Sequence, residues 1–157
     1  MAVATKIAAV ENDELDERLA QSGLRVTPQR RHVHAVLHGK MDHPTADQVF
    51  LRTKEGMPEI SMATVYNCLD ALVKCGVVKQ VNMDKGATRY CCNMGPHSHF
   101  YCDACGSVYD ILQTIDMEVA DFKMPRGFKM QSIETNIHGR CPECSAKAKK
   151  ERALKHG

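Results

Sequence analysis

Cys102 and Cys105, and further along Cys141 and Cys144, form two Cys-x-x-Cys pairs. Each pair sets two thiolates on a tight turn, and two such knuckles supply the four soft ligands of a closed, tetrahedral structural zinc site. A second group of donors lies outside that tetrad: His43, Cys91, His97, His99 and Asp110. His97 and His99 stand two apart, so a strand would point both to one face. Cys91 closes a preceding short strand, Asp110 ends a following one, and His43 comes from the helical half of the chain. If these donors converge, one ion would fix the two halves against each other. It would bind one arrangement better than the rest and shift the population toward it. One ligand set to fold the chain and another to sense a signal describes a metal-responsive switch. Cys92 adjoins Cys91, and a one-residue change of register would exchange the two; Cys91 is preferred. Cys68 and Cys75 read as small apolar fillers, and His32, His34, His38, His138 and His156 are given no role.

The elements that must position these donors follow from local signals. Residues 1–12 form a loose leader, and Asp13 to Gln21 a short amphipathic helix stopped near Gly23. Thr27-Pro28 starts a second helix, with Thr as cap and Pro at the first helical position, where its missing N–H costs nothing. Thr45 caps a third, with Ala46, Val49 and Phe50 facing inward. Ser61 caps a fourth, Met62 to Lys74, ended by Gly76. Val77-Val78 and Thr88 to Cys92 read as two strands joined by a polar turn at Asp84-Lys85-Gly86. Helices followed by a two-stranded ribbon are the outline of a winged helix-turn-helix. After a hinge at 93–96 come a strand from His97 to Tyr101, the first knuckle, and a strand ending at Asp110. A helix around Asp116 to Phe122 follows, then an extended segment from Phe128 to His138, and the second knuckle opens a basic C-terminal helix. The fold class is α+β: a winged-helix domain over 1–92, then a smaller zinc-stapled domain over 97–157.

In the fourth helix Val65, Leu69 and Leu72 face a core, while Ala63, Thr64, Tyr66, Asn67 and Asp70 face outward. Small and hydrogen-bonding residues suit a major groove: Thr64 and Tyr66 can hold phosphates, Asn67 can pair with adenine edges, and Ser61 at the helix start is a further DNA-binding candidate. The stretch from Gln21 to Lys40 carries Arg25, Arg30 and Arg31 and no acidic residue. These arginines are candidate phosphate contacts, at least one of them with only a local structural role.

Composition bounds the alternatives. The 157 residues include 4 Tyr, 4 Phe and no Trp, so two small units bury modest cores and a zinc would supply folding free energy to the second. A net charge of +2 predicts no partner by itself; the local clustering of cations does. No stretch has the length and apolarity of a membrane span or a signal peptide, so the 8 cysteines read as reduced thiols used for metal in the cytoplasm. No His-Glu-x-x-His helix and no general base beside an open ligand position point to a zinc enzyme. A zinc-stapled protein-binding module is a further alternative, separated from a DNA-binding regulator by metal-dependent, salt-sensitive binding to duplex DNA.

Over nearly its whole length the chain resembles the ferric uptake regulator family of bacterial transcription factors. The resemblance rests on Gly23-Leu-Arg-Val-Thr-Pro-Gln-Arg30, His43-Pro-Thr-Ala-Asp47, Ala63-Thr-Val-Tyr66, His97-Ser-His-Phe-Tyr-Cys-Asp-Ala-Cys-Gly106 and Cys141-Pro-Glu-Cys144. It implies a homodimer, a winged helix on a palindromic operator, a C-terminal α/β dimerisation domain and a zinc on the four cysteines. It also implies a regulatory metal that draws the DNA-reading domains into a repressing form. In the family's peroxide-responsive branch three His and two Asp hold iron or manganese, and His43, His97, His99 and Asp110 match four of those positions. Asn67 also matches that branch, where iron regulators carry Arg. There, ferrous iron reacts with peroxide and oxidises a His ligand; His43 and His97 match those ligands. Cys91 departs from the pattern, standing where peroxide sensors have Asp, iron sensors Glu and zinc regulators often Cys. A thiolate favours Zn2+, tolerates Fe2+, suits Mn2+ poorly and is itself oxidisable. The resemblance thus implies a peroxide-sensing repressor, with zinc-sensing or iron-sensing regulation as alternatives.

Overall fold

The computed structural model describes residues 13–82, 86–112, 123–131 and 135–155. The chain divides into two units, Met1–Met94 and Gly95–Gly157. The expected leader at 1–12, most of the polar turn at 83–85 and the expected helix at 116–122 lie outside the described residues.

In the first unit a helix over 13–21 (α1) buries Leu15 and Leu19, one turn apart on one face. Pro28–Lys40 (α2) is capped by Thr27, whose hydroxyl accepts from the Arg30 N–H, and it buries Val33, His34 and Leu37. Ala46–Gly56 (α3) begins in a capping box. The Thr45 hydroxyl accepts from Gln48 N at 3.4 Å and Thr45 N donates to Gln48 Oε1 at 3.0 Å. Met62–Lys74 (α4) is capped by Ser61 and buries Val65, Cys68, Leu69, Ala71 and Leu72. Its inward residues join those of α1, α2 and α3 in one core, in which Cys68 and Cys75 are packed as apolar side chains.

The ribbon starts later than the sequence suggests. Lys79–Val81 (β1) pairs antiparallel with Arg89–Cys91 (β2), so Val77 and Val78 precede the strand. The reason is the end of α4. Gly76 sits at φ 76, Val77 N donates to Leu72 O at 3.2 Å, and Gly76 N donates to Val73 O at 3.1 Å. Those bonds are a Schellman cap, which commits Val77 to the helix terminus and its side chain to the core. Thr45 adds a bridge to Arg89, and Tyr90 N donates to Pro44 O at 3.0 Å, so the loop before α3 borders β2.

In the second unit Ser98–Cys102 (β3) is central, antiparallel to Val108–Ile111 (β4) and parallel to Asn136–Gly139 (β5). Of the extended segment expected from Phe128, only β5 is a strand among the described residues. Pro142–Lys155 (α5) buries no side chain. The buried residues described in this unit are Ser98, Tyr101, Cys102, Val108 and Cys141, so two thiols stand inside its small core.

Candidate metal centres

Cys102 ends β3 and Cys105 follows one turn later. Gly106 turns the chain at φ 70, while Gly106 N donates to Cys102 O at 2.8 Å and Cys102 N to Ser107 O at 2.9 Å. Cys141 stands immediately before α5, with Cys144 in its first turn, and Asp103 N donates to Gly139 O at 2.8 Å, tying the knuckle to β5. The four sulfurs lie within 4.8 Å of one another, and Cys105 Sγ is 3.9 Å from Cys141 Sγ. A tetrahedron with Zn–S bonds of about 2.3 Å has sulfur–sulfur edges of roughly 3.8 Å. A disulfide would need about 2.05 Å. The tetrad therefore fits zinc.

Its electrostatics point the same way. The Cys141 backbone N–H, 3.3 Å from Cys102 Sγ, is the main cause that draws the Cys102 thiol down to about 6. Ser107, with Oγ at 3.2 Å, lowers Cys105. Cys144 is pushed up to about 12, first by its hydrogen bond to Cys141 and then by that to Cys105. Four sulfurs this close cannot all ionise on their own; a dication among them removes the conflict.

The second donor group divides between the units. In the second unit His97 Nε2 is 3.0 Å from His99 Nε2 and 3.3 Å from Asp110 Oδ1, and His99 Nε2 is 3.6 Å from the same oxygen. Donors about 2.1 Å from one ion stand roughly 3.0–3.4 Å apart, so this cluster has the spacing of a coordination shell. Register explains it: His99 pairs with Asp110 across β3 and β4, and His97 immediately precedes β3. His97 Nδ1 lies 2.7 Å from the Gly95 carbonyl, which accepts a hydrogen bond from the protonated Nδ1 and leaves Nε2 with its lone pair for a metal. In the first unit the ligand atoms of His43 and Cys91 lie within 4.8 Å of each other, both residues being buried. Cys92 is turned into the core instead, its Sγ 3.4 Å from Leu37 O.

The candidate DNA face is α4. Tyr66 and Asn67 are exposed on it, and Ser61 and Thr64 are joined by hydroxyls 2.8 Å apart at its start. Two arginines carry local duties: Arg31 pairs with Asp16 through Nε at 3.0 Å and through Nη2, and Arg30 Nη1 donates to Arg25 O. Arg25 is exposed.

The sequence profile of the Ferric uptake regulator family matches residues 21–138. The chain belongs to that family. It is 34% identical over 145 residues to the peroxide operon regulator of Bacillus subtilis, covering 90% of this chain and 98% of that protein. It is 30% identical over 155 residues to the peroxide-responsive repressor PerR of Staphylococcus aureus, covering 92% and 100%. Among solved structures it is similar to the Helicobacter pylori ferric uptake regulator, with TM-score 0.67, 20% identity and coverage of 88% and 93%. The Campylobacter jejuni peroxide stress regulator gives TM-score 0.59 at 25% identity, covering 84% and 97%.

This member of the ferric uptake regulator family is thus a metal-dependent, DNA-binding transcriptional regulator. Zinc suits its thiolate tetrad, and its His/Asp cluster suits a regulatory divalent metal. Among the described residues no helix is long and apolar enough to cross a membrane. Sequence reasoning passed over two groups beside the donors: the Gly95 carbonyl, 2.7 Å from His97 Nδ1, and Ser107, whose Oγ is 3.2 Å from Cys105 Sγ.

Proposed function

We propose that this regulator represses transcription when an ion occupies His43, Cys91, His97, His99 and Asp110, and that it senses peroxide through that site. The observation that carries the reading is the assembled cluster of His97, His99 and Asp110, with polar atoms 3.0, 3.3 and 3.6 Å apart and the His97 tautomer set by Gly95. Three donors leave a divalent ion short of its usual four to six ligands. His43 and Cys91 are the pair that completes them. An ion taking both sets binds one arrangement of the two units better than the others, which is the requirement for a population shift. When bound, the ion supplies the link between the sets, and ferrous iron adds reactivity toward peroxide. In the linked form, working in the cytoplasm, a homodimer presents two copies of α4 to a palindromic operator, with Asn67 at base edges and Ser61, Thr64, Tyr66 and Arg25 at the backbone. The length-spanning likeness to peroxide regulators supports the signal.

One observation favours a second reading. Cys91 is a buried thiol beside His43, and a thiolate there selects zinc over manganese, which suits a zinc-sensing regulator.

Anaerobic protein is titrated with iron, zinc or manganese and assayed on a palindromic duplex obtained by in vitro selection. Metal should tighten binding, and His97→Ala should remove that response while leaving a folded dimer. Equal affinity with and without metal refutes the switch. Brief peroxide should release DNA from the iron form and leave the zinc form bound. If only zinc supports binding and peroxide has no effect, the zinc-sensing reading stands.

A further inference from the structure

His43 sits on an unusual piece of backbone. Met41 and His43 have φ 49 and 52, left-handed values that side chains other than glycine rarely adopt. Such a conformation persists only where the surroundings hold it. Two arginines do so. Arg52 of α3 grips the Asp42 carboxylate with both terminal nitrogens, at 2.8 and 2.7 Å. Arg89 of β2 donates through Nη1 to the carbonyl of His43 itself, at 2.9 Å in a partly buried setting. Arg89 is also two residues from Cys91, on the same side of the strand, and it bridges to Thr45.

We infer that Arg89 is a positioning residue for the regulatory ion: its bond to the His43 carbonyl sets that imidazole beside the Cys91 thiol. The inference rests on the reading of His43 and Cys91 as ligands. A guanidinium close to a dication repels it, so the charge of Arg89 opposes binding. Its benefit is therefore geometric, delivered by a rigid donor fork that lysine lacks. The sign of the effect separates the two roles. Loss of geometry weakens metal binding, whereas loss of repulsion strengthens it.

The unit can fold without this side chain, because Tyr90 N still donates to Pro44 O and the Thr45 capping box is untouched. The full-length, zinc-stapled dimer would be titrated with cobalt(II) against a competing chelator, following the sulfur-to-cobalt charge-transfer band that a Cys91 ligand gives. Arg89→Gln and Arg89→Lys are each expected to weaken cobalt by about 10–100-fold, as outer-shell substitutions commonly do. The band should persist at saturation, and the metal-free melting curve and one tightly held zinc per chain should be unchanged. Wild-type or tighter affinity in both variants overturns the inference, as does weakening that only tracks the unfolded fraction. If His43→Ala, with Arg89 intact, binds cobalt as well as the wild type, the ligand reading itself fails and takes this inference with it. That result is distinct from a wild-type site indifferent to Arg89.

Discussion

Acid should loosen the first unit through His34, which lies outside both proposed donor sets. His34 lies on α2 with only 7% of its surface exposed and its ring 4.3 Å from that of His38. Burial, and next the neighbouring His38, push its pKa down from 6.5 to about 4. Above pH 6.5 the imidazole is neutral in both folded and unfolded chains and contributes no pH dependence. Between about 6.5 and about 4 the unfolded chain takes the proton and the folded one does not, so stability falls as pH falls. The difference, 6.5 − 4, is about 2.5 units, which at about 1.36 kcal/mol per unit caps the loss near 3 kcal/mol. That is a large share of the ~5–15 kcal/mol that holds a typical domain. Asp16 and Asp42, lowered below 3.8 by Arg31 and Arg52, lose their contribution mainly below this window and touch only its acid edge, and the comparison with His34→Gln cancels them. The assay is urea unfolding from about pH 7.5 to about pH 4, read on the amide signals of Val33 and Leu37. The wild type should lose stability across that range relative to His34→Gln, by up to about 3 kcal/mol. A flat difference between the two proteins, or a drop lying above pH 6.5, would refute the reasoning.

Two further outcomes are expected. Cys141→Ser should release the structural zinc and unfold the second unit, because the ~10–16 kcal/mol a thiolate site can supply has no substitute in so small a core. Zinc analysis and the signals of β3 test this, and a folded zinc-free unit would refute it. Leu69→Ala empties a fully buried position on α4 and should cost about 2–5 kcal/mol, read as a lower melting temperature of the first unit; a change below about 1 kcal/mol would show that the helix does not depend on that core.

Much of the architecture was legible because it is written in short-range chemistry. Thr27, Thr45 and Ser61 announce three helix starts whose caps satisfy local N–H groups. The two cysteine pairs announce a zinc site because ligand spacing is itself the signal. Val77 was misread as strand for the opposite reason. Its β-branched type suits a sheet, but the Schellman bonds after Gly76 claimed its backbone first.

The sequence alone determined which atoms could bind a soft metal and which α4 residues face the core or the solvent, since residue type and period carry that information. Tertiary structure alone decided how those atoms are presented. Cys91 rather than Cys92 lies beside His43 because the strand alternates and Leu37 occupies the other side. His97 offers Nε2 because the Gly95 carbonyl accepts a hydrogen bond from its Nδ1–H. Arg89 reaches a backbone oxygen 46 positions away. Contacts between residues remote in sequence leave no local period, so they become visible only once the chain has brought them together.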